Sequence, residues 1–223
     1  MDLVEDILLK EGKMLPVMEH FYTLQGEGAH TGKAAYFIRL GGCDVGCHWC
    51  DVKESWDPNL HPLMNAEEIA ETAARHCKTI VLTGGEPLMW NLDILTSKLK
   101  ELGCSIHIET SGAYPMSGHI DWITLSPKKT GLPKEEIYQK AHELKVIVFN
   151  NNDFKDLICK IDKSNLPLSL KISTNLMRYN QNSINHLSNK YKKTVKMFQK
   201  DKKLHDCSIF TKEHGGFGFT YMI

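Results

Sequence analysis

Hydrophobic residues up to about residue 150 alternate between short apolar runs and longer stretches with helical spacing. The apolar runs predict strands over 17–24, 34–40, 79–83, 105–109, 122–125 and 144–149. The helical spacing predicts helices over 3–10, 65–76, 92–102 and 134–142. Strands that alternate with helices are typical of an α/β fold with a mainly parallel sheet.

Small or polar residues follow four successive predicted strands. They are Gly41-Gly42, Gly84-Gly85, Ser111-Gly112 and Ser126. In parallel sheets, both open and closed, ligands bind at the carboxyl edge of the strands. We therefore predict a partial, open (β/α) barrel with a ligand site at this edge.

The character of the chain changes after about residue 155. Residues 166–173 predict one more strand, and a solvated helix is predicted over 184–198 in a stretch rich in Asn, Lys, Ser and Gln. Residues 214–219 predict a loop and a short strand. We expect one domain over 1–223, with a well-patterned core over 15–150 and a divergent segment over 156–223.

Composition favours an ordinary globular protein and gives no sign of a nucleic-acid or membrane partner. Of 223 residues, 42% are hydrophobic and 24% charged, and the formal net charge is zero. The sequence lacks an apolar run of about 18 residues, and its first residues include Asp2, Glu5 and Asp6 where a signal peptide carries bases. We expect a cytoplasmic location, where thiols stay reduced, and buried apolar roles for Cys77, Cys104, Cys159 and Cys207.

Three further cysteines form the most informative motif. Cys43, Cys47 and Cys50 have C-x3-C-x2-C spacing in a glycine-containing stretch that follows the predicted strand 34–40. Iron–sulfur cubanes usually have four cysteine ligands, often in short-spaced runs. A run that ends at three leaves one iron without a protein ligand, so we predict a [4Fe–4S] cluster with an open site.

Zinc is the main alternative at this motif. With His48 the three thiols offer a Cys3His ligand set, although structural zinc sites usually draw on two separated ligand pairs. A non-enzymatic iron–sulfur or zinc module, such as an electron carrier, is the corresponding alternative function. Such a carrier would close its cluster with a fourth cysteine and would not need the glycine turns on the other strands.

Several motifs in order resemble the radical S-adenosylmethionine (SAM) superfamily, and more narrowly the 7-carboxy-7-deazaguanine synthases. The resemblance covers about residues 15–150. Besides the cysteines it includes Phe21-Tyr22-Thr23-Leu24-Gln25-Gly26-Glu27-Gly28, Phe37-Ile38-Arg39-Leu40, Trp49-Cys50-Asp51, Thr83-Gly84-Gly85-Glu86-Pro87, Glu109-Thr110-Ser111-Gly112 and Ser126-Pro127-Lys128.

This resemblance implies a reaction and its requirements. The family converts 6-carboxy-5,6,7,8-tetrahydropterin to 7-carboxy-7-deazaguanine with release of ammonia, on the route to queuosine and related deazapurines. It implies a [4Fe–4S] cluster, SAM, Mg²⁺, an electron donor such as flavodoxin or ferredoxin, and a homodimer. Another radical SAM enzyme, an activating enzyme for a protein partner, is the alternative within the superfamily.

Site residues follow by matching this sequence to the family motifs. The implied cluster ligands are Cys43, Cys47 and Cys50; the implied SAM contacts are Trp49, Asp51, Gly85, Glu109, Ser126, Pro127 and Lys128. The implied substrate contacts are Leu24, Gln25, Gly26, Glu27, Arg39 and Thr83. Arg39 matches the arginine that binds the substrate carboxylate, and a strand-end salt bridge is its alternative interpretation. Glu86 is expected to be structural.

Two positions depart from the family pattern. Val52 stands where the family commonly has a Ser or Thr that ligates magnesium, which leaves Asp51 or Ser55 as nearby oxygen donors and no assigned protein ligand. The usual Gln-Thr-His-Lys and Gln-Pro segments are not visible after residue 155. We expect this tail to be either strongly diverged or the product of a shifted reading frame, and in the second case turnover would suffer.

Overall fold

In the computed structural model, the described residues are 3–47, 50, 52–128, 130–148, 171–176 and 195–199. The chain divides into two compact units, and each is described by itself. The first unit comprises residues 1–23 and 34–141, and the second comprises residues 24–33 and 142–223.

A sheet and four helices make up the first unit. Its strands are β1 (Met14–Leu24, whose last residue belongs to the second unit), β2 (Ala34–Leu40), β3 (Leu63–Asn65), β4 (Thr79–Gly84), β5 (Ser105–Thr110) and β6 (Trp122–Leu125). Its helices are α1 (Leu3–Lys10), α2 (Ala66–His76), α3 (Asp93–Glu101) and α4 (Glu135–Lys140). The strand order is β3-β1-β2-β4-β5-β6, so β3 and β6 lie at opposite ends and the described sheet of this unit is open.

Four neighbouring strands of this sheet are parallel. β2 pairs with β4, β4 with β5 and β5 with β6, all in parallel, while β1 and β3 pair antiparallel. Helix α2 lies in the connection from β2 to β4 and α3 in the connection from β4 to β5, whereas a loop over 111–121 connects β5 to β6. All four strands consequently end at the same edge, which is where the sequence predicted the ligand site.

The two faces of these four parallel strands differ because side chains alternate along a strand. One face carries fully buried aliphatic side chains, including Ile38, Leu82, Ile108 and Leu125. A Cβ on Gly112 would meet both Leu125 and Ile137 of α4, which places this helix on the aliphatic face. The opposite face carries a smaller apolar cluster of Ala35, Phe37 and Val81, against which Phe21 packs.

Helix α2 begins where the sequence predicts. The Asn65 side-chain oxygen accepts hydrogen bonds from the backbone N–H groups of Glu67 and Glu68, at 2.9 and 3.2 Å. This is the N-cap that satisfies two of the helix's first donors. Residues Glu67 and Glu68 also place negative charge in the first turn, where the helix dipole stabilises it.

Three parallel strands and a turn are described in the second unit. The strands are β7 (Glu143–Val148), β8 (Lys171–Leu176) and β9 (Val195–Gln199), and β8 pairs in parallel with both others. The turn follows β1 and includes a 3-10 helix over Gly28–His30. Other 3-10 helices, in the first unit, span Lys53–Ser55, Pro58–Leu60 and Pro87–Met89.

Most predicted elements up to residue 148 are confirmed, with differences at their ends. β1 begins three residues before the predicted start, and the short strand β3 was missed because three residues carry no periodic signal. The predicted helix over 184–198 is wrong where it overlaps β9, because pairing with β8 decides the conformation there rather than local spacing. The predicted strand over 166–173 overlaps β8, and the segment 214–219 lies outside the described residues.

None of the helices among the described residues is both long and apolar enough to cross a membrane.

Candidate active site

The cysteine loop and the Gly-Gly-Glu-Pro turn are joined at the carboxyl edge of the sheet. The loop follows β2 and the turn follows β4, its parallel neighbour. The Gly85 N–H donates to the Leu40 carbonyl at 2.9 Å, and the Glu86 N–H donates to the Gly42 carbonyl at 2.8 Å. These backbone bonds extend the strand pairing into the two turns and fix the position of one relative to the other.

Backbone and aromatic contacts hold the start of the cysteine loop. The Gly42 and Cys43 N–H groups donate to the carbonyls of Ser55 and Trp56, at 2.6 and 3.1 Å. The indole N–H of Trp90 donates to the Gly41 carbonyl at 2.8 Å. Gly42 has φ +100°, and a Cβ there would lie 2.8 Å from the Trp90 ring, so the position requires glycine on two counts.

Two hydroxyl groups brace the middle of the loop. The Tyr114 hydroxyl donates to the Asp44 carboxylate at 2.5 Å, and the Thr130 hydroxyl donates to the Val45 carbonyl at 2.6 Å. Burial, with the hydrogen bond to Asp44, raises the pKa of Tyr114 to about 12. The phenol therefore remains a donor throughout the pH range in which proteins are stable.

The three motif thiols are free of disulfides and half-buried. Burial raises the pKa of Cys43, and the nearby Glu86 carboxylate adds to the effect. Burial also raises the pKa of Cys47, which the positive charge of Lys128 partly offsets. Both thiols are consequently protonated in the metal-free protein near neutral pH, and metal binding must displace their protons.

These residues fit an iron–sulfur cluster. Among the residues that the structure describes, no three His, Cys, Asp or Glu side chains converge as a ready site for one metal ion. A cubane does not require such convergence, since each thiolate binds a different iron. The free thiols, the positive-φ glycines 42 and 46 in the loop, and the lysine charge that acts on Cys47 all suit an anionic sulfur-ligated group.

Glu86 is the buried anchor of this region. Its side chain is only 1% exposed. The carboxylate accepts from the Thr110 hydroxyl at 2.5 Å, from the Ser111 N–H at 2.8 Å, from the Leu88 N–H at 3.1 Å and from the Ser111 hydroxyl. A buried charge needs such partners. Glu86 thus ties the turn after β4 to the end of β5, in agreement with the structural role that we expected.

Gly85 lies in direct contact with the cysteine loop. A Cβ at this position would be 2.3 Å from the Gly42 oxygen and 2.9 Å from the Cys43 Cβ. Any side chain would push the loop away from the turn. The backbone of Gly85 is therefore one wall of the space next to the first cysteine.

The predicted contacts after β6 also reach this edge. The Ser126 N–H donates to the Thr110 carbonyl at 2.8 Å, and Lys128 donates through Nζ to the Ser126 hydroxyl at 2.7 Å. Pro127 between them is buried. Because Lys128 acts electrostatically on Cys47, the structure brings Ser126, Lys128 and the cysteine loop together.

Polar residues form a row across the face opposite the aliphatic one. Arg39 on β2 is paired in register with Thr83 on β4, and Glu109 on β5 with Thr124 on β6. One further step along the β4–β5 register places Thr83 beside Glu109. Three residues predicted to contact substrate or SAM therefore lie side by side just below the carboxyl edge.

Arg39 is held by an ion pair that leaves part of its guanidinium available. Its Nε donates to the Glu19 carboxylate at 2.6 Å. This is the only polar contact that the Arg39 side chain makes with the described residues, and 17% of the side chain is exposed. The two terminal amino groups are thus left to bind a carboxylate end-on. The ion pair with Glu19 uses the Nε atom of Arg39. The alternative interpretation of Arg39 as a salt-bridge residue is therefore compatible with the predicted role in carboxylate binding.

The predicted residues Leu24, Gln25, Gly26 and Glu27 lie in the second unit. Leu24 ends β1 and is exposed. The Gln25 N–H donates to the Lys33 carbonyl and the Gly32 N–H to the Gln25 carbonyl, both at 2.8 Å, which closes the turn. The Gln25 side-chain oxygen accepts from the Glu27 N–H at 3.1 Å.

Several predicted residues cannot be placed or assigned. Trp49 and Asp51 lie outside the described residues, as does His48. Val52 offers only its backbone carbonyl oxygen, which accepts from the Ser55 hydroxyl at 2.7 Å and from the Ser55 N–H at 3.1 Å. Ser55 is 1% exposed, so its hydroxyl is turned into the loop.

Sequence reasoning missed the residues that support the loop from a distance. Tyr114, Trp90 and Thr130 are 70, 49 and 85 residues from their partners in the loop. No spacing rule connects them. The single available signal was local: each stands in a turn that follows a predicted element at the same sheet edge.

A model of the radical SAM superfamily matches residues 37–150, about half of the chain. The chain therefore belongs to the radical SAM superfamily, whose members use a [4Fe–4S] cluster and SAM. The resemblance seen in the sequence and the open α/β fold are both confirmed at this level.

Among similar proteins, the 7-carboxy-7-deazaguanine synthase of Flavobacterium psychrophilum is 58% identical over 161 residues, which cover 71% of this chain and 77% of that protein. The synthase of Synechocystis sp. is 52% identical over 140 residues, or 62% of this chain and 67% of that protein. The crystal structure of QueE from Escherichia coli is similar with a TM-score of 0.73 and 26% identity, over 89% of this chain and all of that one. The chain belongs to the 7-carboxy-7-deazaguanine synthase family.

Proposed function

We propose that this protein is a radical SAM lyase that converts 6-carboxy-5,6,7,8-tetrahydropterin to 7-carboxy-7-deazaguanine and ammonia. The observation that supports this most is the position of Arg39. Its guanidinium lies in the polar row with Thr83, on the strand whose end leads into the cysteine loop. This position supports a proposed site for a carboxylated substrate that would lie below the proposed cluster site.

Cys43, Cys47 and Cys50 would hold three irons of the cluster and leave the fourth for the amino and carboxylate groups of SAM. When bound, the cluster and SAM supply the radical that starts the rearrangement. Gly85 would let the backbone approach the SAM amino group, and the nucleoside side of the site would be lined by Ser126, Pro127, Lys128 and Glu109. Trp49 and Asp51, beside the third cysteine, are proposed as further SAM contacts.

The protein's own contribution to the substrate is orientation. Arg39 would bind the pterin carboxylate through its two terminal amino groups while Glu19 fixes the guanidinium plane. Thr83 would donate or accept a hydrogen bond beside it. Leu24, Gln25, Gly26 and Glu27 are proposed to contact the pterin ring.

Further features of the proposal come from the family resemblance. Mg²⁺ would assist by binding substrate oxygens and water, with no protein ligand assigned because Val52 has no side-chain oxygen. A flavodoxin or ferredoxin would supply the electron, and the protein would act as a homodimer. We also propose one domain over 1–223. Its tail, 156–223, is either diverged or the product of a shifted reading frame, and sequencing the encoding DNA tests for the frame shift.

Anaerobic turnover tests the proposal. The full chain with a reconstituted cluster is mixed with dithionite, SAM, Mg²⁺ and the tetrahydropterin, and products are measured by mass spectrometry and an ammonia assay. We expect 7-carboxy-7-deazaguanine and ammonia in equal amounts, with SAM not consumed, and neither product from Cys47→Ser. A cluster-loaded protein that binds SAM but leaves the pterin unchanged would contradict the proposal.

A further inference from the structure

Strand β7 contacts the turn that is proposed to bind the pterin. The inference about this strand rests on the proposed function. The turn spans residues 25–33 and is closed by backbone bonds between Gln25, Gly32 and Lys33. Thr31 tightens its centre by donating from its hydroxyl to the Gly28 carbonyl at 2.6 Å. Backbone bonds of this kind fix the shape of a turn but not its position.

Glu143 is the first contact between β7 and this turn. Its side chain is 2% exposed, and its carboxylate accepts from the Ala29 N–H at 3.1 Å. A Cβ on Gly28 would lie 2.3 and 2.7 Å from the two carboxylate oxygens. Gly28 also has φ +70°, so this glycine serves both the bend and the close approach of the carboxylate.

Lys145 is the second contact. Its ammonium forms an ion pair with the Glu27 carboxylate, and the two side chains are 23% and 20% exposed. Because Glu143 and Lys145 are two residues apart on one strand, their side chains emerge on the same face. Glu143 contacts the turn at Ala29 and Lys145 contacts it at Glu27, so the two contacts lie on either side of Gly28.

We propose that Glu143 and Lys145 are positioning residues for pterin binding. They act through the turn and do not need to touch the substrate. Holding the turn in its binding geometry before the substrate arrives removes an ordering cost from binding. Loss of Lys145 would also leave Glu27, a proposed contact residue, as a largely buried carboxylate without this counter-charge.

Binding of 6-carboxypterin, an unreactive oxidised analogue, tests this in the full cluster-loaded chain. Calorimetry is performed on the wild type, Lys145→Met, Lys145→Arg, Glu143→Gln and the matched control Lys140→Met, whose lysine is exposed at the end of α4. Iron content, the SAM Kd and Tm are measured for each. Steady-state kinetics with the tetrahydropterin separate KM from kcat.

We expect Lys145→Met to weaken 6-carboxypterin binding about tenfold and to raise KM by a similar factor, with kcat little changed. Lys145→Arg should restore most of the binding, and Glu143→Gln should fall between them. The SAM Kd and the iron content should stay at wild-type values in all four variants.

Two results would overturn the inference while leaving the proposed function intact. One is wild-type pterin affinity in both Lys145→Met and Glu143→Gln. The other is an equal loss of pterin and SAM binding, which would indicate a general structural role. A wild type that binds SAM but neither binds 6-carboxypterin nor turns over the tetrahydropterin would refute the proposed function and this inference with it.

Discussion

The two faces of the first unit's sheet are built from alternate residues of the same strands yet have different tasks. The aliphatic face, with Ile38, Leu82 and Ile108, is fully buried. The opposite face changes from apolar, at Phe37 and Val81, to polar at Arg39 and Thr83 within two residues. Side-chain alternation thus places the residues that stabilise the fold on one face and the proposed site residues on the other. The proposed site residues lie close to the carboxyl ends of the strands.

That separation predicts that changes at the carboxyl edge remove function and spare the fold, whereas changes on the aliphatic face do the reverse. Substitutions at the edge, on each face and away from the site test it, from the largest expected effect to the smallest.

Gly85→Ala is expected to have the largest effect on function. Its methyl group would lie 2.3 Å from the Gly42 oxygen, so the cysteine loop must move. We expect cluster loading to fall and SAM affinity to drop by more than about a hundredfold, since both would depend on the loop geometry. Iron and sulfide analysis with equilibrium dialysis of SAM measures this.

Gly131→Ala is the matched control, because the nearest atom to its new methyl group is the Ala113 Cβ at 3.2 Å. Near-normal loading is expected there. Normal SAM binding in Gly85→Ala would show that the turn after β4 does not bound the site.

Leu82→Ala tests the aliphatic face. Leu82 is 0% exposed, and the loss of a buried leucine side chain typically costs about 3 kcal/mol, including the cavity it leaves. Urea denaturation should report that loss, while turnover per folded molecule should remain near wild type.

Leu60→Ala serves as the comparison, since Leu60 is 70% exposed and should change stability by less than about 0.5 kcal/mol. Turnover in folded Leu82→Ala that falls as far as its stability would mean that the two faces are not independent.

Arg39→Met tests the polar row. Loss of the proposed end-on contact with the substrate carboxylate should lower kcat/KM about a hundredfold, equivalent to roughly 2.7 kcal/mol, with little change in Tm. Glu19→Gln is the control, because it breaks the same ion pair but keeps the terminal amino groups.

A much smaller effect is expected for Glu19→Gln. If both variants lose the same activity, the salt bridge rather than the substrate contact explains the role of Arg39.

The smallest expected effect concerns Asp121, away from the site. Partial burial would raise the pKa of its carboxyl, but hydrogen bonds from Lys100 and from the Ile106 N–H outweigh this and lower it below 3.8. A lowered folded-state pKa stabilises above the unfolded value and loses that contribution as pH falls through the folded value.

Asp121→Asn should therefore cost about 1 kcal/mol at neutral pH, since the pair is partly exposed, and less near pH 3. Urea denaturation at the two pH values measures it. A cost that does not shrink in acid would show that charge is not the cause, and turnover should be normal throughout.

The sequence was informative where the signal is local. The Asn65 cap, the parallel strands and the grouping of Gly42, Gly85 and Ser126 at one edge all follow from residues close together in the chain. The order of short motifs was enough to indicate the family.

Long-range contacts were beyond reach of the same reasoning. The hydrogen bonds from Tyr114 to Asp44 and from Ala29 to Glu143 join residues that are 70 and 114 positions apart. The local spacing of these residues does not predict the bonds. The strand β9 was mistaken for helix for the same reason, because its conformation depends on pairing with β8.

The most direct test of the central claim is EPR of the reduced, reconstituted full chain with and without SAM. The three proposed cysteine ligands would leave one iron for the amino and carboxylate groups of SAM, so we predict a spectrum that changes when SAM is added. Gly85→Ala should respond weakly, and Gly131→Ala should respond as the wild type does. An EPR spectrum that does not change when SAM is added, or zinc in place of iron at the three cysteines, would contradict the claim of an open-site cluster that binds SAM.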